Sequence, residues 1–444
     1  MSTDLKKNDM PAANHDIDWA NQPWYHLIFT KQMLTCIFTG FSSGLPLFFI
    51  IQLLPAWLLS YGLTVKTIAA FSLTQMPYVF KFLWAPLLDR YSLIPFLGRR
   101  RSWMLVTQMG LLVGMAVYGM VNPQAQLKWV VLLSIAVAFL SATLDIAVDA
   151  FRREILTDKE LGLGNSIHVN AYKIAGFIPG ALSLILADHV SWQMVFFITA
   201  LFMIPGVLMS LFVKEPAASK SAPKTLVSSV VEPFVEFFTR QGWKYALFIL
   251  AFMLLYKLGD SMATALQSTF VLKMGFSKTD LGTINKGIGL ASSIAGGIFA
   301  GIWMLRLGIN KALWVFGFAQ ALAILAFVVL AHYGPFETIG GRERMLLALV
   351  IAAETFAMSL GTMAFVSFIA RTTNPAYTAL QLALFTSLTA VPRSFINAST
   401  GWLVERMGWE SFFYLCMVLA VPGMLMLFKI APWNGDKEIK ETTV

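Results

Sequence analysis

Eight ionisable side chains interrupt otherwise apolar stretches of this sequence: Asp145, Asp149, Lys173, Lys257, Asp260, Lys286, Glu354 and Arg393. A charge near a bilayer centre costs a few kcal/mol even on permissive scales, so its retention needs a reason. Asp145 and Asp149 are spaced i,i+4 and share one helix face. Two carboxylates that close hold a proton more readily than either does alone, which makes the pair a candidate proton-exchange site. Arg152 and Arg153 follow within a turn of Asp149, so Asp149 reads equally well as part of a structural gate. Lys257 and Asp260, spaced i,i+3, either neutralise each other or exchange partners during a cycle. Glu354 has no opposite charge on its own stretch and is carried most cheaply as a neutral acid, unless Lys286 or Arg393 reaches it from another helix.

Lys173, Lys257, Lys286 and Arg393 together are a surplus of positive charge, and an anionic ligand is its simplest counterpart. Arg393 follows Pro392, which frees a carbonyl and is expected to bend its helix. Lys81 lies two turns before Asp89 and can snorkel to the surface. Uncharged polar residues carry less specificity. Gln75, Gln267, Asn285, Gln381, Asn397, His168 and Asn170 could hydrogen-bond a sugar or peptide, and each could equally join two helices; Gln381 is retained as a ligand candidate. Gly297 and Gly301 have the small-xxx-small spacing of close helix approach.

The elements that must hold these residues are membrane helices. Hydrophobic residues make up 57% of the 444 and charged residues only 13%, about half the charge of a soluble chain. The stretches 32–65, 102–127 and 191–213 contain no charge, and each has the roughly 20 residues a crossing needs. The pattern predicts an all-α polytopic protein with about twelve crossings, near 34–59, 66–88, 103–121, 129–150, 164–187, 192–213, 243–271, 279–305, 311–332, 345–370, 376–400 and 409–430. The first six form an N-terminal bundle over 34–213 and the last six a C-terminal bundle over 243–430. A proline-bearing linker at 214–242 joins them and is expected to contain an amphipathic helix near 226–238; polar segments 1–33 and 431–444 flank the whole. With both termini inside, Lys and Arg are roughly three times as frequent on the cytoplasmic side as outside, which sets the orientation. The halves echo each other: Gly180 through Trp192 to Phe197 parallels Gly401 through Trp409 to Phe413.

The net charge of +9 fits cytoplasmic loops against anionic lipid better than nucleic acid. Cys36 and Cys416 fall within crossings, with no disulfide or metal spacing around them. No nucleophile–base arrangement, metal cluster or phosphate loop points to an enzyme, and no cofactor is expected. The first thirty residues lack a signal-peptide core, so the first crossing is expected to direct insertion.

Several strings together resemble the AmpG muropeptide permeases, which are major facilitators. They are Phe41-Ser42-Ser43-Gly44-Leu45-Pro46, the run from Tyr78 through Trp84-Ala85-Pro86 to Asp89-Arg90-Tyr91, and Gly98-Arg99-Arg100-Arg101. Asp145-x3-Asp149-Ala150, Leu255-Tyr256-Lys257-Leu258-Gly259-Asp260, Asn285-Lys286 and Thr400-Gly401-Trp402 to Gly408-Trp409 continue the likeness. It spans about Phe41 to Leu427. Ala85 replaces the first glycine of the general facilitator loop, and seven residues separate Arg90 from Gly98. The resemblance implies two parallel six-helix repeats with a ligand between them near the midplane. It implies an inner-membrane proton symporter of Gram-negative bacteria that imports N-acetylglucosaminyl-1,6-anhydro-N-acetylmuramyl peptides, feeding wall recycling and β-lactamase induction. Its expected partners are the anionic muropeptide, protons and lipid, the proton gradient being the energy source, with the chain acting as a monomer. Lys173, Lys257, Lys286, Arg393 and Gln381 would hold the cargo, while Asp145, Asp149, Asp260 and Glu354 would exchange protons. Asp89, Arg90, Arg99, Arg100 and Arg101 would latch the cytoplasmic helix ends. Alternatives are a facilitator for another anionic conjugate, such as an acyl-coenzyme A or a siderophore, and a transporter-like sensor.

Overall fold

A computed structural model of the chain describes residues 29–64, 67–68, 71–215, 226–240, 242–374 and 377–435, less the side chains of 72, 226–229, 278, 389–395 and 397–398. Nearly all of the flanking segments 1–33 and 431–444 lies outside the described residues, as does the side chain of Arg393.

A chain in lipid must satisfy its backbone polar groups internally, and these sequences do so as helices. In chain order they are α1 (Lys31–Ser60), α2 (71–90), α3 (Arg99–Met120), α4 (Leu127–Ile155), α5 (Leu161–Ala187) and α6 (Trp192–Phe212). A linker helix, Leu226–Arg240, follows. The second set is α7 (Trp243–Lys273), α8 (279–307), α9 (309–333), α10 (Gly341–Thr372), α11 (Thr378–Ala398) and α12 (409–430). Among the described residues, nine segments are long and apolar enough to cross a bilayer. One of them, Thr279–Tyr333, has 55 residues, or about 80 Å of helix. It turns back at Gly308, whose φ of 74° favours glycine, and so makes two crossings. The shorter α2 and α11 complete twelve.

Proline explains where the expected unbroken helices differ from those observed. The predicted 66–88 helix is a relay of short 3₁₀ and α pieces, with Pro77 and Pro86 each in the first turn of a new piece, where the missing N–H costs nothing. Pro46 and Pro179 accompany π-helical turns at Phe49–Leu53 in α1 and Ile178–Leu182 in α5. The helix of α11 runs on through Pro392. In α7 the helix breaks at Lys257 (φ −104°, ψ 3°), so this side chain leaves a turn rather than a regular face.

Each half has its own aromatic core. Trp57, Tyr118 and Phe196 interlock in the first, and Phe270, Phe327 and Phe413 in the second. A third cluster crosses between halves: Met33, Cys36, Leu161 and Leu163 pack with Met304, Phe365 and Leu382. It lies toward the end of the bundle that carries Arg100, Arg152 and Arg371, called here the basic end, and closes it.

Candidate functional site

Two groups of charges emerge, one closing the basic end and one in the membrane interior. At the basic end Arg100 is wholly buried. Its guanidinium reaches Asp89 at 2.8 Å and Glu154 at 2.6 Å and donates to the Leu88 carbonyl at 3.0 Å. Arg99 joins through Glu154 at 3.7 Å and the Asp89 carbonyl. The Asp89 carboxylate also accepts from the backbone N–H groups of Ala379 and Leu380, at 3.2 and 2.9 Å. These amides open α11, so a side chain of the first half caps a helix of the second, and the helix dipole adds to the attraction. Arg101 donates to the carbonyls of Ser210 and Leu211 at the end of α6. Glu215 receives the backbone N–H groups of Arg100 and Arg101, at 2.7 and 3.0 Å. Arg90 stands over the Tyr91 ring, 5.3 Å from its centroid.

Asp149 belongs to this end. It pairs with Arg152 at 2.8 Å; Arg152 donates to Asn165, and Asn165 to Ser367 across the halves. Arg153 donates to the Ala370 carbonyl at 2.7 Å. Gln381 is also here and not in the interior. Its amide donates to the Pro233 carbonyl and to Glu236, and it accepts from the Asn374 N–H. Its amide nitrogen ties α11 to the linker helix and its oxygen holds the chain just before α11, so both polar atoms are engaged in helix contacts here. Partial burial raises the Glu236 carboxyl, but hydrogen bonds from Arg240, Asn374 and Gln381 outweigh it and hold the group below the usual carboxylate range.

In the interior, Lys173 of α5 reaches across the halves. Its ammonium donates to Ser293 of α8 at 2.6 Å and to Ser359 of α10 at 3.3 Å. Among the described residues it forms no ion pair. Lys257 differs: it is bound by Asp260 at 2.7 Å, Gln320 at 2.8 Å and Thr362 at 3.1 Å, which uses its three donors. Glu354 is buried, within electrostatic range of both Asp260 and Lys257, and its Oε2 has no hydrogen-bond partner among the described residues. Two carboxylates thus face one ammonium. In the first half Asp145 accepts from Ser43 of α1 and lies within range of Lys81 and Asp149. Lys286 is exposed on the π turn Ile284–Gly289, roughly 10 Å along α8 from Ser293.

Sequence reasoning therefore found the interior charges but missed their neutral partners Ser293, Ser359, Gln320 and Thr362, which no local pattern marks. It also missed Glu154 and Glu215, although an acid beside a buried Arg run is a signal that could have been used. Lys81, read as a snorkelling residue, lies within electrostatic range of Asp145.

The family model described as Major Facilitator Superfamily matches residues 36–396. The Anhydromuropeptide permease of Escherichia coli K12 is 38% identical over 390 residues, covering 87% of this chain and 77% of its own. Putative transporter AmpG 4 of Rickettsia conorii is 33% identical over 398 residues, covering 87% and 94%. Among solved structures, the outward-conformation facilitator FucP superposes with a TM-score of 0.66 at 13% identity, over 90% of this chain and 99% of that one. The chain belongs to the AmpG family of the Major Facilitator Superfamily, a family of membrane transporters rather than enzymes.

Proposed function

We propose that this protein imports anhydro-muropeptides across the cytoplasmic membrane of a Gram-negative bacterium, driven by the proton gradient. The observation that carries the reading is Lys173, an ammonium held between the two halves by serine hydroxyls and left without a carboxylate among the described residues. A cargo carboxylate supplies the counter-charge that the serine hydroxyls, which carry no formal charge, do not. The likeness to a permease named for anhydromuropeptides supports the cargo.

Protons enter through the second half. Lys257 can neutralise one of Asp260 and Glu354, and the other carboxyl takes a proton. Protonation of Asp260 frees Lys257 for a second cargo carboxylate. Asp145 is the corresponding exchange group of the first half, and Lys286 adds positive charge on the entry side. The basic end is cytoplasmic and both termini lie inside, in keeping with the excess of Lys and Arg there. The imported product would feed wall recycling and, through it, β-lactamase induction.

The test is uptake of labelled anhydro-muropeptide into proteoliposomes with and without an inward proton gradient. Gradient-dependent accumulation is expected, and Lys173→Met should lower it at least tenfold. Absence of uptake by folded, correctly oriented protein would refute the cargo, and accumulation indifferent to the gradient would refute the coupling.

A further inference from the structure

The face of α5 that carries Lys173 also carries Ser166 and Asn170, at helical spacings of four and three. Opposite them α8 presents, in antiparallel register, Gly301, Gly297 and Ser293. A Cβ built on Gly301 would fall 2.7 Å from the Ser166 Cβ, and one on Gly297 would fall 2.6 Å from the Asn170 Nδ2. Lys173 closes the row on Ser293. The three polar residues thus form a stripe from the interior toward the basic end, covered by a helix with no side chain at two of the three facing positions.

Only the inner residue of the stripe is satisfied. Asn170 is 5% exposed and Ser166 wholly buried, yet both amide atoms of Asn170 and the Ser166 hydroxyl lack a hydrogen-bond partner among the described residues. Buried polar groups are almost always paired, and leaving three atoms unpaired on one seam is a standing cost of the closed state. Apolar residues of the same size would close the seam better. A donor and two acceptor-capable groups retained there have their use when α5 and α8 part.

Building on the cargo reading above, we infer that Ser166 and Asn170 are cargo ligands of the cytoplasm-open state, binding neutral hydroxyl and amide groups of the sugar while Lys173 holds the charged peptide. The opening that releases the cargo uncovers the stripe. The sugar then slides along it, and reclosure squeezes it off because the glycines of α8 leave no room.

The experiment uses proteoliposomes with the basic end accessible and compares two probes added from that side: the disaccharide–peptide and the free peptide, each as a competitor of counterflow. Asn170→Leu keeps the side-chain shape and removes the amide. It should weaken the disaccharide–peptide about tenfold and leave the free peptide within twofold. Ser166→Ala should do the same with about a threefold effect. A purely conformational role would shift both probes by one common factor, because a change in the open population taxes every ligand equally. A common shift, or no shift, overturns the inference. Failure of the wild-type protein to transport the disaccharide–peptide at all refutes the cargo reading, and the sugar-binding assignment with it; wild-type transport with no probe-specific effect refutes the stripe alone.

Discussion

The two halves meet at the basic end through two seams that use different physics. At one, α2 and α3 approach α11 through charge: Arg100 is buried between Asp89 and Glu154, and Asp89 caps the α11 N-terminus. At the other, α8 approaches α5 through the absence of side chains: Gly297 and Gly301 receive Asn170 and Ser166, while Gly162 receives Met304. A charged clasp offers directional bonds that water can replace once the seam opens, so it suits a latch that must be made and broken. Where the glycines lie, the seam has no side-chain bond to break; its contacts there are dispersion, and any added volume is felt at once. The clasp selects which helix end is gripped, and the seam decides how closely the halves approach.

The largest effect should come from stripping the clasp. Arg100→Met removes the only guanidinium on the Asp89 carboxylate among the described residues and leaves Glu154 to the more distant Arg99, and truncating a buried pair typically costs about 3–5 kcal/mol. The variant should lose most uptake and melt earlier in detergent. Cys36, buried in the cluster that crosses the halves, should react with thiol reagents much faster, while Cys416, buried in the core of the second half, should be unchanged. Equal acceleration at both cysteines would mean general unfolding and not an opened clasp.

Gly301→Val attacks the other seam. Its Cβ alone falls 2.7 Å from Ser166, and overpacking of this kind costs about 1–3 kcal/mol. The cost falls on the closed state only, so Cys36 should again become reactive, with the melting temperature much less affected than in Arg100→Met. Ser166→Gly in the same chain should restore part of the closure by returning the lost volume. No comparable rescue is expected for Arg100→Met from any change of volume. Rescue failing at the glycine seam would mean that its closeness is incidental.

The clasp was partly legible in the sequence because charges at loop positions announce themselves. Asp89-Arg90 and Arg99-Arg100-Arg101 stand beside apolar crossings, and the crossings themselves follow from hydropathy. Its acceptor was not legible, since the acceptor is backbone: nothing in the residues Ala379 and Leu380 says that their amides open a helix opposite Asp89. The seam was half legible. The spacing of Gly297 and Gly301 promised a close helix, but glycine pairs do not name their partner, and the unpaired Asn170 becomes visible only when α5 is laid against them. The interior charges were found as residues, and only those on one helix as a pair. Distance along a helix predicted Lys257 with Asp260, whereas Lys173 with Ser293 and Ser359 depends on three helices at once. An amide within an apolar run, such as Gln381, looks the same in sequence whether it meets a ligand or a helix.

The smallest effect tests how far the clasp extends beyond the membrane. The linker helix grips α11 through Glu236, which accepts from Arg240, Asn374 and Gln381, while Phe237 packs on Phe385 at 5.1 Å. Those hydrogen bonds hold the Glu236 carboxyl below its ordinary range despite the opposing effect of partial burial. A carboxyl whose folded-state value is depressed contributes stability above the unfolded value and loses it as pH falls through the folded one. The grip should therefore be complete at neutral pH and weaken under acid, below the normal titration range of glutamate. The group is substantially solvated, and exposed pairs of this type contribute about 0–1 kcal/mol, so Glu236→Gln should shift the melting temperature only slightly. What it should remove is the acid-dependent part of trypsin cleavage at Arg240. Wild-type protein should be cut faster as pH falls, relative to an unstructured reference peptide cut under the same conditions, and the glutamine variant should be cut at one relative rate throughout. A glutamine variant that keeps the full pH dependence would assign the acid response to another group and confine the clasp to Asp89, Arg100 and Glu154.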